Sequence, residues 1–220
     1  MTQNSDTLTD TMRRHSLRLG AFAVGTALLL AVVYALTKDR IADQRLETER
    51  AALAEVFPAA LHDNDLLGAA FTLPADTGGF TQTHLLGLST ARTAYAATLT
   101  GVGSGVILPL ETADGYSGTI VLMIGINAEG AITGVRVVQH AETPGLGDKI
   151  DTALSPWIRS FNNRSLPNTP EVLWQVKKDG GDFDQFVGAT ITPRAVVAAV
   201  HNALLFFDAN RERLLAGTTP

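Results

Sequence analysis

Eighteen consecutive residues without a charge, Leu19 to Leu36, constrain this chain more than any other feature. Wound as a helix they run roughly 27 Å, close to the thickness of a bilayer's hydrocarbon core. Tyr34 sits near one end, where an amphipathic ring suits the membrane interface. A cleaved signal peptide is the rival reading, because Arg13, Arg14 and Arg18 form a basic leader. The apolar run is longer than a signal peptide needs, and no small-x-small cleavage site precedes Lys38. The expectation is a retained anchor: residues 1–18 a short polar tail, 19–37 a membrane span, 38–57 a stalk helix and 58–220 a separate domain. Counting Lys and Arg on the two flanks does not decide orientation. The dense basic cluster beside the short tail points to a cytoplasmic tail, with the large domain on the other side.

A chain of 220 residues has room for one domain beyond such an anchor. Its net charge of −5 and scattered Lys and Arg residues give no nucleic-acid footprint. The absence of cysteine excludes disulfides, a thiolate nucleophile, Cys-ligated zinc or iron–sulfur centres and a lipid-modified cysteine. His15, His62, His84, His140 and His201 are dispersed, so no metal site is expected. His201 reads as a packed or surface histidine within the last helix. There is no nucleophile elbow and no phosphate-binding Walker sequence. Gly101, Gly103 and Gly105 lie between strand-like segments, which makes them a turn signal and not a dinucleotide fingerprint.

Along the chain, residues 1–12 are polar and read as disordered. Ile41, Leu46, Leu53 and Val56 recur among charges until Pro58 ends the stalk helix. Residues 59–80 are mixed, with a turn at Asp76 to Gly79. Strands are expected at Ala94 to Leu99 and Val106 to Leu110, joined by a loop over Gly101 to Gly105. Thr119 to Ile126 reads as a buried strand, Asn127 to Gly130 as a turn and Ile132 to Val138 as a returning strand. Lys149 to Phe161 reads as a short helix kinked near Pro156, Val172 to Val176 as a short strand, and Lys178 to Asp182 as a turn. A last helix is expected from Pro193 to about Leu214. Hairpins with interspersed and trailing helices give an α+β fold of antiparallel strands with flanking helices.

Two segments stand out. In Glu142-Thr143-Pro144-Gly145-Leu146-Gly147, Pro144 stiffens the loop, the glycines permit close approach, and Leu146 offers an apolar cover. In Gly188-Ala189-Thr190-Ile191-Thr192-Pro193, Thr192 reads as the N-cap and Pro193 as the first residue of the last helix. Small residues leave the Thr190 hydroxyl open, and unpaired first-turn amides suit a phosphate. A surface loop and a capped core helix explain the same residues, and local physics alone leaves both readings open.

Together the two segments, behind a single N-terminal span and with Gly115-Tyr116-Ser117-Gly118 and Lys178 to Asp184, resemble the G subunits of Rnf electron-transport complexes. These belong to bacterial ion-translocating ferredoxin:NAD oxidoreductases and are related to the C subunits of sodium-pumping NADH:quinone reductases. The resemblance implies an FMN-binding domain on the periplasmic side of the inner membrane. It implies FMN bound covalently, through its phosphate, to the last residue of a [S/T]-G-A-[S/T] pattern, here Thr190 after Gly188 and Ala189. Val187 stands where that pattern has Ser or Thr. Asp184 matches the acidic start of the flavinylation signal, which a flavin transferase reads when it installs the group from FAD. The resemblance further casts Glu142, Thr143, Gly145 and Leu146 as a wall for the isoalloxazine, with Thr192 and Arg194 near the phosphate. Lys177 or Lys178 is cast as a partner for reduced flavin.

The resemblance thus implies a membrane-anchored FMN carrier relaying electrons among other subunits of an Rnf-type complex, not a complete enzyme by itself. The alternatives are the equivalent role in NADH:quinone reductase and a flavin-free anchored assembly or sensor module.

Overall fold

The structure, a computed structural model, describes residues 4–75 and 79–216. The turn expected at Asp76 to Gly79 falls mostly outside the described residues. The chain divides into two compact units, residues 1–49 and residues 50–220.

In the first unit, helix α1 (Asn4–Val56) begins well before the apolar run. The polar leader from Asn4 onward is therefore helical, where disorder was expected. No proline or glycine interrupts it before Gly20. Among the described residues this is the one helix long and apolar enough to cross a membrane, with a mean hydropathy of 2.3 over its best window. Leu28, Leu29 and Leu30 are exposed along it. The Thr26 and Thr37 hydroxyls donate to the carbonyls of Phe22 and Val33 at 2.9 and 2.8 Å, so they bring no unpaired donor into the span.

The second unit is built on five strands: β1 (Ala70–Leu73), β2 (Arg92–Leu99), β3 (Val102–Thr112), β4 (Ile120–Asn127) and β5 (Ile132–Gln139). They form an antiparallel meander in sequence order. Alternate residues serve different cores. Val106, Leu108 and Leu110 of β3 face one apolar layer, together with Ile120, Leu122 and Ile124 of β4. Ile107, Tyr95 and Ala97 face a second. Burial on both faces explains why β3 and β4 read as near-continuous apolar runs.

Helix α2 (Ile191–Leu215) covers the first face with Val196, Val197, Val200, Ala203, Leu204 and Phe207. The second face is covered by the end of α1, through Leu53 and Val56, and by Phe57. That approach is close. A Cβ on Gly125 would stand 2.5 Å from the Val56 carbonyl oxygen, and one on Gly105 would stand 2.5 Å from the Phe57 ring. The Thr133 hydroxyl donates to the same Val56 carbonyl at 2.6 Å.

Several expected elements differ. The β2–β3 connection is only Thr100 and Gly101, both at positive φ (53° and 77°), the pair that a tight hairpin turn requires. Gly103 and Gly105 lie inside β3, where α2's Leu215 carbonyl and Phe57 leave no space for side chains. Lys149 to Phe161 is not a helix but two 3-10 turns, Gly147–Ile150 and Trp157–Phe161, because Pro156 opens a new turn instead of bending an old one. Val172 to Val176 is not a strand. It holds the turn Glu171–Leu173 and one isolated bridge from Val176 to Phe183. Strand β1, within the segment read as mixed, is a short edge strand.

At the other end of β3, Glu111 is buried and accepts the Ser89 amide and hydroxyl at 3.0 and 2.7 Å and Arg92 Nε at 2.7 Å. Burial alone would raise its pKa, but the Ser89 and Arg92 donors together hold it below the ordinary 4.5. The lowered folded value means stability that is present above the unfolded pKa and is lost as pH falls through the folded one. The stability gap between wild type and Glu111→Gln should therefore be widest near neutrality and narrow below about pH 4, as read by denaturant titration at a series of pH values. At the packed glycine of β4, Gly125→Ala should destabilise the fold by about 1–3 kcal/mol, measured by denaturation of the detergent-solubilised full chain.

Candidate functional site

The two segments singled out in the sequence meet. They line a cleft of about 300 Å³, with Glu142, Thr143, Leu146 and Gly147 from the loop after β5 and Gly188 to Thr192 from the start of α2. Tyr116, from the loop between β3 and β4, completes it. Seven of the predicted residues line this cleft: Glu142, Thr143, Leu146, Gly188, Ala189, Thr190 and Thr192.

Helix α2 starts earlier than expected. Thr190, not Thr192, is the N-cap residue, with φ −88° and ψ −25°. Thr192 lies inside the first turn, fully buried, and its hydroxyl donates to Glu142 Oε2. That long-range acceptor takes the hydroxyl that would otherwise have capped the helix. Pro193 is tolerated within the first turn because its missing N–H has no intrahelical acceptor there. The Thr190 hydroxyl makes no capping hydrogen bond. It stands half-buried on the cleft wall beside first-turn amides that also lack intrahelical acceptors.

Glu142 is an internal tie, not an exposed wall. It is 4% exposed. Its Oε1 accepts the Ser117 amide at 3.0 Å while Oε2 accepts Thr192. One carboxyl thus joins the β3–β4 loop, the loop after β5 and the start of α2. A Cβ on Gly147 would stand 2.6 Å from Glu142 Oε2, which explains the glycine that ends the loop.

Loop 142–147 folds on itself, the Leu146 and Gly147 amides donating to the Thr143 carbonyl at 3.1 and 3.2 Å. Gly145 does not line the cleft. It has φ +79° and donates its amide to Asp148 Oδ2 at 2.9 Å, so it serves the turn. Leu146 is 42% exposed at the mouth and lies over Gly188, whose φ is +83°. A side chain at 188 would be strained by that φ and would press on Leu146.

Lys178 and Asp184 do not line the cleft either. The Lys178 amide donates to Gln185 Oε1 at 3.2 Å, and the Asp184 carboxylate pairs with Lys177 at 2.7 Å. That contact with Asp184 raises the Lys177 pKa. Arg194 is committed to Asp179 by two bonds of 2.5 and 2.7 Å, which hold the Asp179 carboxyl below its ordinary range. Lys177 and Arg194 thus each have a carboxylate partner, and the cleft wall at Thr190 offers backbone amides and the helix dipole. The segment leading to Thr190 is held from below. Trp157 Nε1 donates to the Asp184 carbonyl at 2.7 Å and its ring meets Phe186 at 5.1 Å, edge-on. Val187, between buried Phe186 and Gly188, is 91% exposed and points away from the packing. His201 stacks on Trp174 at 5.2 Å, away from the cleft-lining residues.

Tyr116, Gly147 and Ile191 also line the cleft and were not among the predicted site residues. The compact Gly115-Tyr116-Ser117-Gly118 turn, with one large ring among small residues, was the available signal for the first.

Residues 115–205 match the FMN-binding domain family, a span that holds every cleft-lining residue, and residues 1–56 match the RnfG N-terminal region. The G subunit of the ion-translocating oxidoreductase complex of Pseudomonas aeruginosa is 50% identical over 93% of this chain and 92% of its own length. That of Aliivibrio fischeri is 42% identical over 93% and 94%. The chain belongs to the family of Rnf-complex G subunits. Among solved structures, Shewanella oneidensis NqrC aligns over 70% of this chain and 75% of its own at 22% identity, with a TM-score of 0.43.

The cleft fits the cofactor of its domain family. Its volume lies at the lower end of the roughly 300–1,000 Å³ usual for small-molecule sites. The apolar Leu146 and Ile191 suit a flat ring system, and the uncapped Thr190 hydroxyl and first-turn amides suit a phosphate. Thr192→Val, which removes the donor to Glu142, should cost about 1–3 kcal/mol of stability, read as a lower denaturation midpoint of the full chain.

Proposed function

We propose that this chain is the membrane-anchored FMN carrier of an Rnf-type ion-translocating ferredoxin:NAD oxidoreductase, passing electrons between other subunits of that complex. The family membership supports the complex, and the FMN-binding domain match supports the cofactor. The single observation that carries the attachment point is the Thr190 hydroxyl, which sits at an N-cap without capping and lines the cleft. On this reading Thr190 Oγ bonds to the phosphorus of FMN. Thr190 attacks the flavin-side phosphorus of FAD, the bridging P–O bond to the adenylate side breaks, AMP leaves and the hydroxyl proton is released. A flavin transferase catalyses this step and approaches the exposed 184–188 face, where Asp184 and Val187 are accessible.

Bound FMN supplies reversible one- and two-electron chemistry, and the protein supplies position and field. With FMN bound, the α2 amides would hold the phosphoester charge and Leu146 and Ile191 would shield the ring from water, while Glu142 keeps the three cleft segments in register. On this reading the domain lies on the periplasmic side of the inner membrane and the 13–18 segment in the cytoplasm, which the dense cluster Arg13, Arg14 and Arg18 beside the short tail supports.

Coexpression with a flavin transferase, followed by a denaturing gel, tests the attachment. Wild type and Thr190→Ser should show a flavin-fluorescent band, and Thr190→Val should show none. Fluorescence retained in Thr190→Val, or absent from wild type, would sink the proposal.

A further inference from the structure

Among the described residues that line the cleft, Glu142 is the one that carries a charge. It is buried, and both of its oxygens accept, Oε1 from the Ser117 amide and Oε2 from the Thr192 hydroxyl, which is the pattern of a carboxylate and not of an acid. No cationic side chain lines the cleft with it. Arg194 gives two bonds to Asp179, and Lys177 pairs with Asp184 at 2.7 Å. The opposite charge that the cleft does offer is partial. The first turn of α2 presents amides worth about half a positive charge. Thr192, which Glu142 grips, belongs to the same turn as Thr190. In a cleft of about 300 Å³, charges on the wall act on one another with little screening.

This balance favours one added negative charge over two. A free phosphate monoester carries about 1.5 to 2 negative charges at neutral pH, whereas a phosphodiester carries a single one. We infer that Glu142 is a charge-selecting residue: it opposes flavins with a free phosphate monoester and reserves the cleft for a flavin whose phosphate is esterified. This rests on the FMN reading above. Esterification to Thr190 then does two things at once. It removes the second charge, and it replaces a weak bimolecular association with an intramolecular one. Exclusion of free FMN also keeps the half-buried Thr190 hydroxyl uncovered until the transferase arrives. The carboxylate works against the wrong ligand, while the helix amides hold the right one.

The test uses the detergent-solubilised full chain carrying Thr190→Ala, which blocks attachment and leaves room for an ester methyl group. Riboflavin, FMN and the phosphate methyl ester of FMN, with zero, about two and one phosphate charges, are titrated into it and followed by flavin fluorescence. The methyl ester should bind at least about threefold more tightly than FMN. Glu142→Gln can keep both contacts with its amide nitrogen turned towards Thr192. Added to Thr190→Ala, it should tighten FMN about threefold to tenfold and change riboflavin by less than about twofold. FMN binding more tightly than its methyl ester would overturn the charge selection. So would a Glu142→Gln effect of equal size on riboflavin and FMN, which marks a change of shape instead of charge. The ligand series on the Thr190→Ala chain stands by itself, whatever Glu142→Gln does to folding. The FMN reading fails separately, if wild type coexpressed with a flavin transferase shows no flavin band on a denaturing gel.

Discussion

A sheet that is apolar on both faces must be covered twice, and the second unit follows from that requirement. Strands β3 and β4 send alternate residues into two separate cores. One face is closed by α2 and the other by the end of α1 with Phe57. Covering the first face fixes where α2 runs, and so fixes where its N-terminus emerges. The loops that follow β3 and β5 open near that N-terminus, and the cleft forms where the three meet. The site is thus a by-product of core geometry, trimmed by local chemistry.

The trimming depends on Glu142. A buried carboxyl is costly unless its oxygens are paired, and here the partners come from two other segments. The same bonds that satisfy it align the cleft. Its loss would leave the Ser117 amide and the Thr192 hydroxyl without their acceptor, so stability and site geometry are linked through one side chain.

Strands β2 to β5, the last helix and the apolar N-terminal helix were legible because each is encoded locally, by apolar runs, by helical spacing and by the absence of charge. The α+β class followed from their order. Elements that depend on distant partners were not legible. Thr192 has the sequence position of a cap, but its hydroxyl belongs to a residue fifty positions away. Ile150, Trp157, Ile158 and Phe161 have helix-like spacing and are all buried, yet they sit on two separate 3-10 turns because core packing, not helix propensity, chose their conformation. The cleft residues split the same way. Glu142 and Thr190 were identifiable as types at a motif, whereas their division into tie and open hydroxyl required the fold. Lys178 and Asp184, adjacent in sequence to that motif, turn elsewhere.

Pairing with Asp179 engages Arg194, the cation in the first turn of α2, and the cleft wall beside Thr190 is formed by the main-chain dipoles of the helix start. Such dipoles are held by the helix and do not swing when charge arrives or departs. A change of charge beside them meets a field already in its final orientation, and the energy spent on rearranging surroundings is small. For a domain whose work is repeated loading and unloading of electrons, an immobile polar wall is faster to use than a flexible charged one.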